Sequence, residues 1–336
     1  MNFAFIVPYE YKPLMFVGHE HFQCDAVQQW VNTLHGDIWQ GEEVAAGGML
    51  TELNRYDLIM INQNTNMHGL TCHLASALEH PKILALDGGS VDDICIVPTH
   101  VRESAIAAMR AVDMFCTFQP WAHTVYELLT DKPIRYIGIP TPVQLIRSYR
   151  KPWSQRRKRV AVGIQLGPGG GTDRNGLLTV FALRKVLGPE WEIDIAYTDP
   201  IELSFAQTFG LNLTMHPVIS PQNPYWENIS DCRFGIMLDL RYTWGRFASN
   251  MAGLGIPCIG VARNGTQERL FPSLTVADPF KSMGAALDMI RALAADDTGM
   301  LSAPLCDYAD AVLDAEFDEP IAKARFMAAV AELGVT

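Results

Sequence analysis

Charge is scarce in this sequence. Only 19% of its 336 residues are Asp, Glu, Lys or Arg, while 49% are apolar. That balance excludes a disordered chain and calls for extensive burial. The charge present leans acidic, 37 acids against 26 bases for a formal net charge of −11, which argues against nucleic-acid binding over the whole surface. No CxxC or CxxH pair occurs, so no zinc site is written here, and no metal site is expected. The seven cysteines are odd in number and far apart, as free thiols of a reducing compartment would be. No uncharged run approaches the roughly 18 apolar residues a membrane span requires. The start, MNFAFIVPYEYKP, lacks the basic stretch and long apolar core of a signal peptide, so a cytoplasmic location is expected. Neither GxGxxG nor a P-loop is found, which removes the standard dinucleotide and ATP fingerprints.

What is there is rhythm. Short β-type runs alternate with helical stretches: strands are predicted at 3–7, 57–61, 82–86, 114–117 and 134–137, with helical spacing between them. The alternation then restarts, with strands predicted at 159–166, 191–197, 212–215, 234–238 and 258–261. This is the signature of parallel sheets covered on both faces. At about 150 residues per domain the length suggests two domains: 1–145, and 159–305, with 306–336 forming helices split by Pro320 and expected to pack back on the first domain.

The joining segment RSYRKPWSQRRKR (147–159) carries seven basic residues and no acid. A solvated linker with a turn at Pro152 is one reading. The other is an anionic contact, with Tyr149 and Trp153 interleaved as a nucleic-acid or lipid-headgroup surface would have them.

After the strand at 159–166 comes Gly167-Pro168-Gly169-Gly170-Gly171-Thr172-Asp173-Arg174-Asn175-Gly176, before a predicted helix. Such a glycine-rich turn lets a ligand approach the backbone, and the helix start offers N–H groups to phosphate. Arg174 is a candidate partner for a diphosphate. A plain loop with Asp173 or Asn175 capping the helix would read the same way.

Late in the chain, WGRFASNMAGLGIPCIGVARNGTQERL (244–270) reads as a helix of small residues, a Gly255-x-Pro257 turn, a strand, and a polar loop ending at Glu268. From about Ala111 to Leu293 the chain resembles family 4 type glycosyltransferases of the GT-B fold. AVDMFCTFQPWAHTVYELL and RYIGIPTPVQ are similar to parts of that family's first domain. RNGLLTVFALRKVL resembles its donor-phosphate helix, HPVIS its base-binding segment, NMAGLGIPCIGV its helix-turn-strand, and NGTQE its loop glutamate. The resemblance implies an α/β chain of two Rossmann-like domains (GT-B) facing across a crevice. It also implies sugar transfer from a UDP- or GDP-type donor to an acceptor hydroxyl. No cofactor follows, because the nucleotide sugar is a substrate. The donor-binding positions it implies are Gly169, Gly170, Gly171, Arg174, Pro217, Val218, Arg246, Asn250, Arg263 and Glu268. The family commonly has two glutamates eight positions apart; here Tyr242 and Asn250 stand there. Asn250 can still hydrogen-bond a ribose hydroxyl, but Tyr242 does not replace a carboxylate.

The catalytic candidates therefore shift to the first domain. Gly18-His19-Glu20-His21 follows the first strand, and either His19 or His21 suits a general base. Asp87, before Gly88-Gly89, ends another strand, as a base or a turn aspartate. Asn62 to His68 is a further amide-rich turn. The expected partners are a nucleotide-sugar donor and an acceptor that is a glycan, lipid-linked or a small molecule. DNA bearing a modified pyrimidine is an alternative acceptor through segment 147–159. A non-catalytic binding protein of this fold is the third reading, suggested by the replaced glutamates.

Overall fold

The computed structural model describes residues 1–8, 26–64, 66–88, 91, 93–166, 174–197, 207–217 and 222–335. The chain divides into two compact units, 1–141 with 317–336, and 142–316. Among the described residues each unit holds one six-stranded sheet, and every pairing in it is parallel.

In the first unit the strands are β1 (Phe3–Val7), β2 (Asp37–Gln40), β3 (Leu58–Gln63), β4 (Lys82–Asp87), β5 (Met114–Thr117) and β6 (Ile134–Tyr136), in the order β2-β1-β3-β4-β5-β6. Alternate residues feed opposite faces: Ala4 and Ile6 join one core cluster, and Phe3, Phe5 and Val7 the other. Burial on both faces explains why these strands read as continuous apolar runs. The second face is covered partly by the helix Glu319–Ala331, whose Phe326 ring packs against Trp30 (centroids 5.1 Å apart) and Phe3 (6.0 Å). That helix starts cleanly because the Asp318 carboxylate accepts from the Glu319 N–H at 2.8 Å and Pro320 sits in its first turn, where no N–H is needed.

In the second unit the strands are β7 (Arg159–Leu166), β8 (Glu192–Tyr197), β9 (Leu213–Pro217), β10 (Phe234–Met237), β11 (Cys258–Val261) and β12 (Thr275–Val276), in the order β12-β11-β10-β7-β8-β9. The helix Arg246–Gly253 lies directly on β7 and β10. A Cβ on Gly163 would sit 2.4 Å from the Phe247 ring, and one on Gly235 2.7 Å from the Met251 sulfur. Two strand glycines thus let this helix lie close on the sheet, and Gly253 of the helix lets it approach Ile146 in the same way, a Cβ there meeting Ile146 Cγ2 at 2.6 Å.

The pattern reading misses β2 and β12. Both are edge strands of four and two residues, too short to show alternation. The joining segment also differs from an open linker. It leaves the end of a helix, Val143–Arg147, makes a single 3-10 turn at Trp153–Gln155, and belongs to the second unit. Its charges are largely spoken for. Arg147 binds Asp310 and Asp314, each at 2.8 Å. Arg150 binds Asp310 at 2.6 Å, Arg157 binds Asp231 at 2.7 Å, and Arg159 binds Asp231 at 2.9 Å as well as Asp194. Arg156 donates to the Leu254 carbonyl at 3.2 Å. Trp153 donates its indole N–H to the Asp297 carbonyl at 3.0 Å, and the Tyr149 ring packs on Trp226.

Candidate functional site

The order of the second sheet reverses between β7 and β10: β8 and β9 lie to one side, β11 and β12 to the other. In open parallel sheets the carboxyl ends of the strands at such a reversal form the natural ligand cleft. The segments that leave β7, β10 and β11 carry most of the predicted donor residues, and hydrogen bonds tie them together.

Arg174, after β7, reaches the loop after β10. Its Nε donates to Asp239 Oδ2 at 3.0 Å, and its Nη2 donates to the same oxygen. Asp239 is fully buried, and its Oδ1 accepts from the Arg241 N–H at 3.0 Å. Asn175 occupies the cap position of the helix Gly176–Val186 in a left-handed conformation (φ 73°), but its side chain does not cap. Its amide instead donates to the Leu238 carbonyl at 2.9 Å, a second tie across the reversal point. Asp239 is therefore a buried anchor for this loop.

Arg263, after β11, grips the same loop from the other side. It donates to the Leu240 carbonyl at 2.7 Å, pairs with Asp278 at 3.2 Å, and lies over the Tyr242 ring at 5.4 Å. Hydrogen bonds donated by the Lys281 and then the Phe280 backbone N–H hold the Asp278 carboxyl below its usual range, so the partner stays ionised. Thr243 donates to the Asn264 side-chain oxygen at 2.8 Å, and the two residues form a parallel bridge. Gly245 then starts the helix Arg246–Gly253 with φ 81°, and a Cβ there would meet Thr266 Oγ1 at 2.6 Å. Glycine is required at that corner on both counts.

The remaining candidates divide by exposure. Arg246 opens the helix and is partly exposed, Asn250 in its middle is 4% exposed, and Tyr242 is 37% exposed. Glu268 stands exposed on the short helix Gln267–Leu270. Pro217 ends β9, in register with Tyr197. Gly169, Gly170, Gly171 and Val218 lie outside the described residues, as do His19 and His21.

In the first unit Asp87 ends β4 opposite Gln63. It is 6% exposed and accepts from the Tyr126 hydroxyl at 2.7 Å and the Thr117 hydroxyl at 3.2 Å. Gly88 is pressed against β3: a Cβ would lie 1.9 Å from the Gln63 carbonyl oxygen. Beside it, Asn62 Oδ1 and Gln63 Oε1 are buried acceptors without a hydrogen-bond partner. Among the described residues no group of three or more His, Cys, Asp or Glu could hold a metal ion, and no helix is long and apolar enough to cross a membrane.

The structure brings two sequence candidates, Arg174 and Arg263, onto one loop; the contacts made there by Asp239, Asn175 and Thr243 are not legible in the sequence. Those three are short polar residues in loops, and only the strand order shows that the loops are adjacent.

No family model matches the sequence, and no curated protein matches it. Solved structures do. The Anabaena protein Alr3699/HepE, crystallised with UDP and glucose, is 12% identical, superposes with a TM-score of 0.73, and the match covers 99% of this chain and 100% of that one. Sucrose-phosphate synthase from Thermosynechococcus elongatus matches over 100% of both chains at 14% identity and a TM-score of 0.69. A glycosyltransferase from Rickettsia africae matches over 98% of both at 11% identity and a TM-score of 0.67. The fold is GT-B. Both expected Rossmann-like domains are present, and the loops after β7, β10 and β11 belong to the second GT-B domain.

Proposed function

We propose that this protein is a glycosyltransferase that moves a sugar from a nucleotide-sugar donor to an acceptor hydroxyl. The observation that carries the reading is the loop 239–245, held by Arg174 and Arg263 at the strand-order reversal of a GT-B fold. Support for a uridine donor comes from a neighbour crystallised with UDP-glucose, matched over 98% of this chain and 99% of its own. On this reading Arg174, Arg246 and Arg263 stabilise the departing diphosphate, so no metal or cofactor is needed for that step. Gly169, Gly170 and Gly171 offer backbone N–H groups to phosphate. Pro217 and Val218 meet the base, Asn250 bonds the ribose, and Glu268 supplies the loop carboxylate. The mechanistic class is a family 4 type altered at Tyr242 and Asn250. The base then comes from His19, His21 or Asp87, and Asp87 accepts hydrogen bonds from Tyr126 and Thr117.

The acceptor is a glycan, a lipid-linked molecule or a small molecule rather than DNA. A DNA acceptor relied on free cations at 147–159, and the five arginines there are bound to carboxylates or carbonyls of the same unit. The test is thermal shift with UDP, GDP and their sugars, followed by slow donor hydrolysis. Stabilisation by UDP-glucose with release of UDP supports the reading. Stabilisation without release makes the protein a binder of donor only, and no stabilisation by any of them sinks the assignment.

A further inference from the structure

A cleft of about 330 Å³ opens at the amino ends of β1 and β2, the opposite edge of the first sheet from Asp87. That volume lies at the lower end of small-molecule sites, roughly 300–1,000 Å³. Its wall includes His35, Asp37, Trp39, Glu52, Arg55 and Tyr56. The polar groups are pre-set: Trp39 Nε1 donates to the Tyr56 hydroxyl at 3.1 Å, and that hydroxyl donates to Asp37 Oδ2 at 2.7 Å. Burial, and then the hydrogen bond to Asp37, push the Tyr56 hydroxyl up, which keeps its proton in place. Glu52 is different. Its Oε2 is buried with no hydrogen-bond partner, a costly state for a carboxylate oxygen that a ligand donor would relieve.

The chemistry of this wall suits a neutral, polyhydroxylated ring. Two carboxylates offer acceptors for hydroxyl protons, and Arg55 offers donors to hydroxyl oxygens. Arg55 and the terminal ammonium of Met1 stand against the carboxylates of Asp37 and Glu52, so the charges offset and favour neither a phosphate nor a free cation strongly. Trp39 and Tyr56 add apolar ring surface for the C–H face of a sugar. We infer that this cleft binds a single hexose unit, with Glu52 Oε2 accepting a ligand hydroxyl. The site does not depend on the proposed transferase activity.

The test uses the full chain and follows the Trp39 indole N–H by NMR, assigned with Trp39→Phe, while glucose, galactose, mannose and N-acetylglucosamine are titrated to about 100 mM. At least one hexose is expected to shift the Trp39 signal saturably, with saturating UDP present or absent. Glu52→Gln removes the charged acceptor and is expected to weaken that binding at least about fivefold. Should Glu52→Gln fold poorly, the exposed Arg55→Ala serves in its place and is expected to weaken binding in the same direction. The inference is overturned if no hexose moves Trp39, if UDP abolishes the shift, if the variants bind the sugar as wild type does, or if calcium or guanidinium shifts Trp39 and the sugars do not. Turnover of UDP-glucose bears only on the transferase reading.

Discussion

Arg174 donates two hydrogen bonds to one carboxylate oxygen of Asp239, a residue with no exposed surface, and thereby joins the segment after β7 to the loop after β10. The pair does two jobs in this reading. It compensates a buried charge, and it fixes a guanidinium, 35% exposed, at the reversal point of the sheet.

Arg174→Ala is therefore expected to act twice. Leaving Asp239 buried without its counter-charge costs about 3 kcal/mol of stability by urea unfolding. Loss of a charged donor to phosphate weakens UDP binding by about 1–3 kcal/mol by calorimetry on the folded fraction. A loss of stability with unchanged UDP affinity would keep the anchor and remove the phosphate role.

Gly88 and Gly69 make a matched pair for the first unit. A Cβ on Gly88 would lie 1.9 Å from a backbone oxygen, whereas one on Gly69, inside the helix His68–Ala77, meets nothing within 4 Å. Gly88→Ala is expected to destabilise by at least about 2 kcal/mol because a backbone carbonyl cannot yield. Gly69→Ala is expected to stabilise by about 0.5–1 kcal/mol through helix propensity. Urea midpoints for both variants check the pair, and equal effects would contradict the close approach of β3 and β4.

Much of this architecture was legible in the sequence because parallel strands buried on both faces leave apolar runs, and Gly255-x-Pro257 marks where a helix must stop. The edge strands Asp37–Gln40 and Thr275–Val276 were not, since four and two residues are too few to show a period. Arg174 is picked out as a candidate by its place after a glycine-rich turn. Its pairing with Asp239 is not legible, because the contact spans 65 residues and depends on β10 pairing with β7 rather than with β9. The pairing of the basic segment is hidden for the same reason: several of its acids lie far downstream, 72 residues for Arg159–Asp231 and 167 for Arg147–Asp314.

Asp310 gives that segment a pH signature. Burial alone would raise its carboxyl, but hydrogen bonds from Arg150 and Arg147 outweigh burial and hold it below the usual range. A carboxyl depressed in the folded state contributes stability above its unfolded value, near 3.9, and loses it as pH falls through the folded value. Asp310→Asn is expected to cost about 1 kcal/mol at pH 7, modest because the pair is partly hydrated. The gap from wild type should close below about pH 4. Urea unfolding from pH 3 to 7 reads both, and a constant gap would mean that the charge is not the source.

His68 carries the opposite kind of titration at the start of the helix His68–Ala77. Its Nδ1 is 3.0 Å from Ser104 Oγ, and that hydroxyl donates to the Val101 carbonyl at 2.8 Å, so the imidazole is the donor to Ser104. The side chain is buried, and burial lowers its pKa below the ordinary 6.5. The neutral form is thus favoured by folding. Its contribution is whole above pH 6.5 and is lost as pH falls towards the folded value, because the unfolded chain takes up the proton first. Wild type is expected to lose stability between pH 7 and 5, with this residue supplying at most about 1.4 kcal/mol per pH unit. His68→Gln keeps a donor for Ser104 but cannot titrate, so its urea midpoint should fall less over that interval. Equal slopes for wild type and variant would show that His68 is not buried in its neutral form.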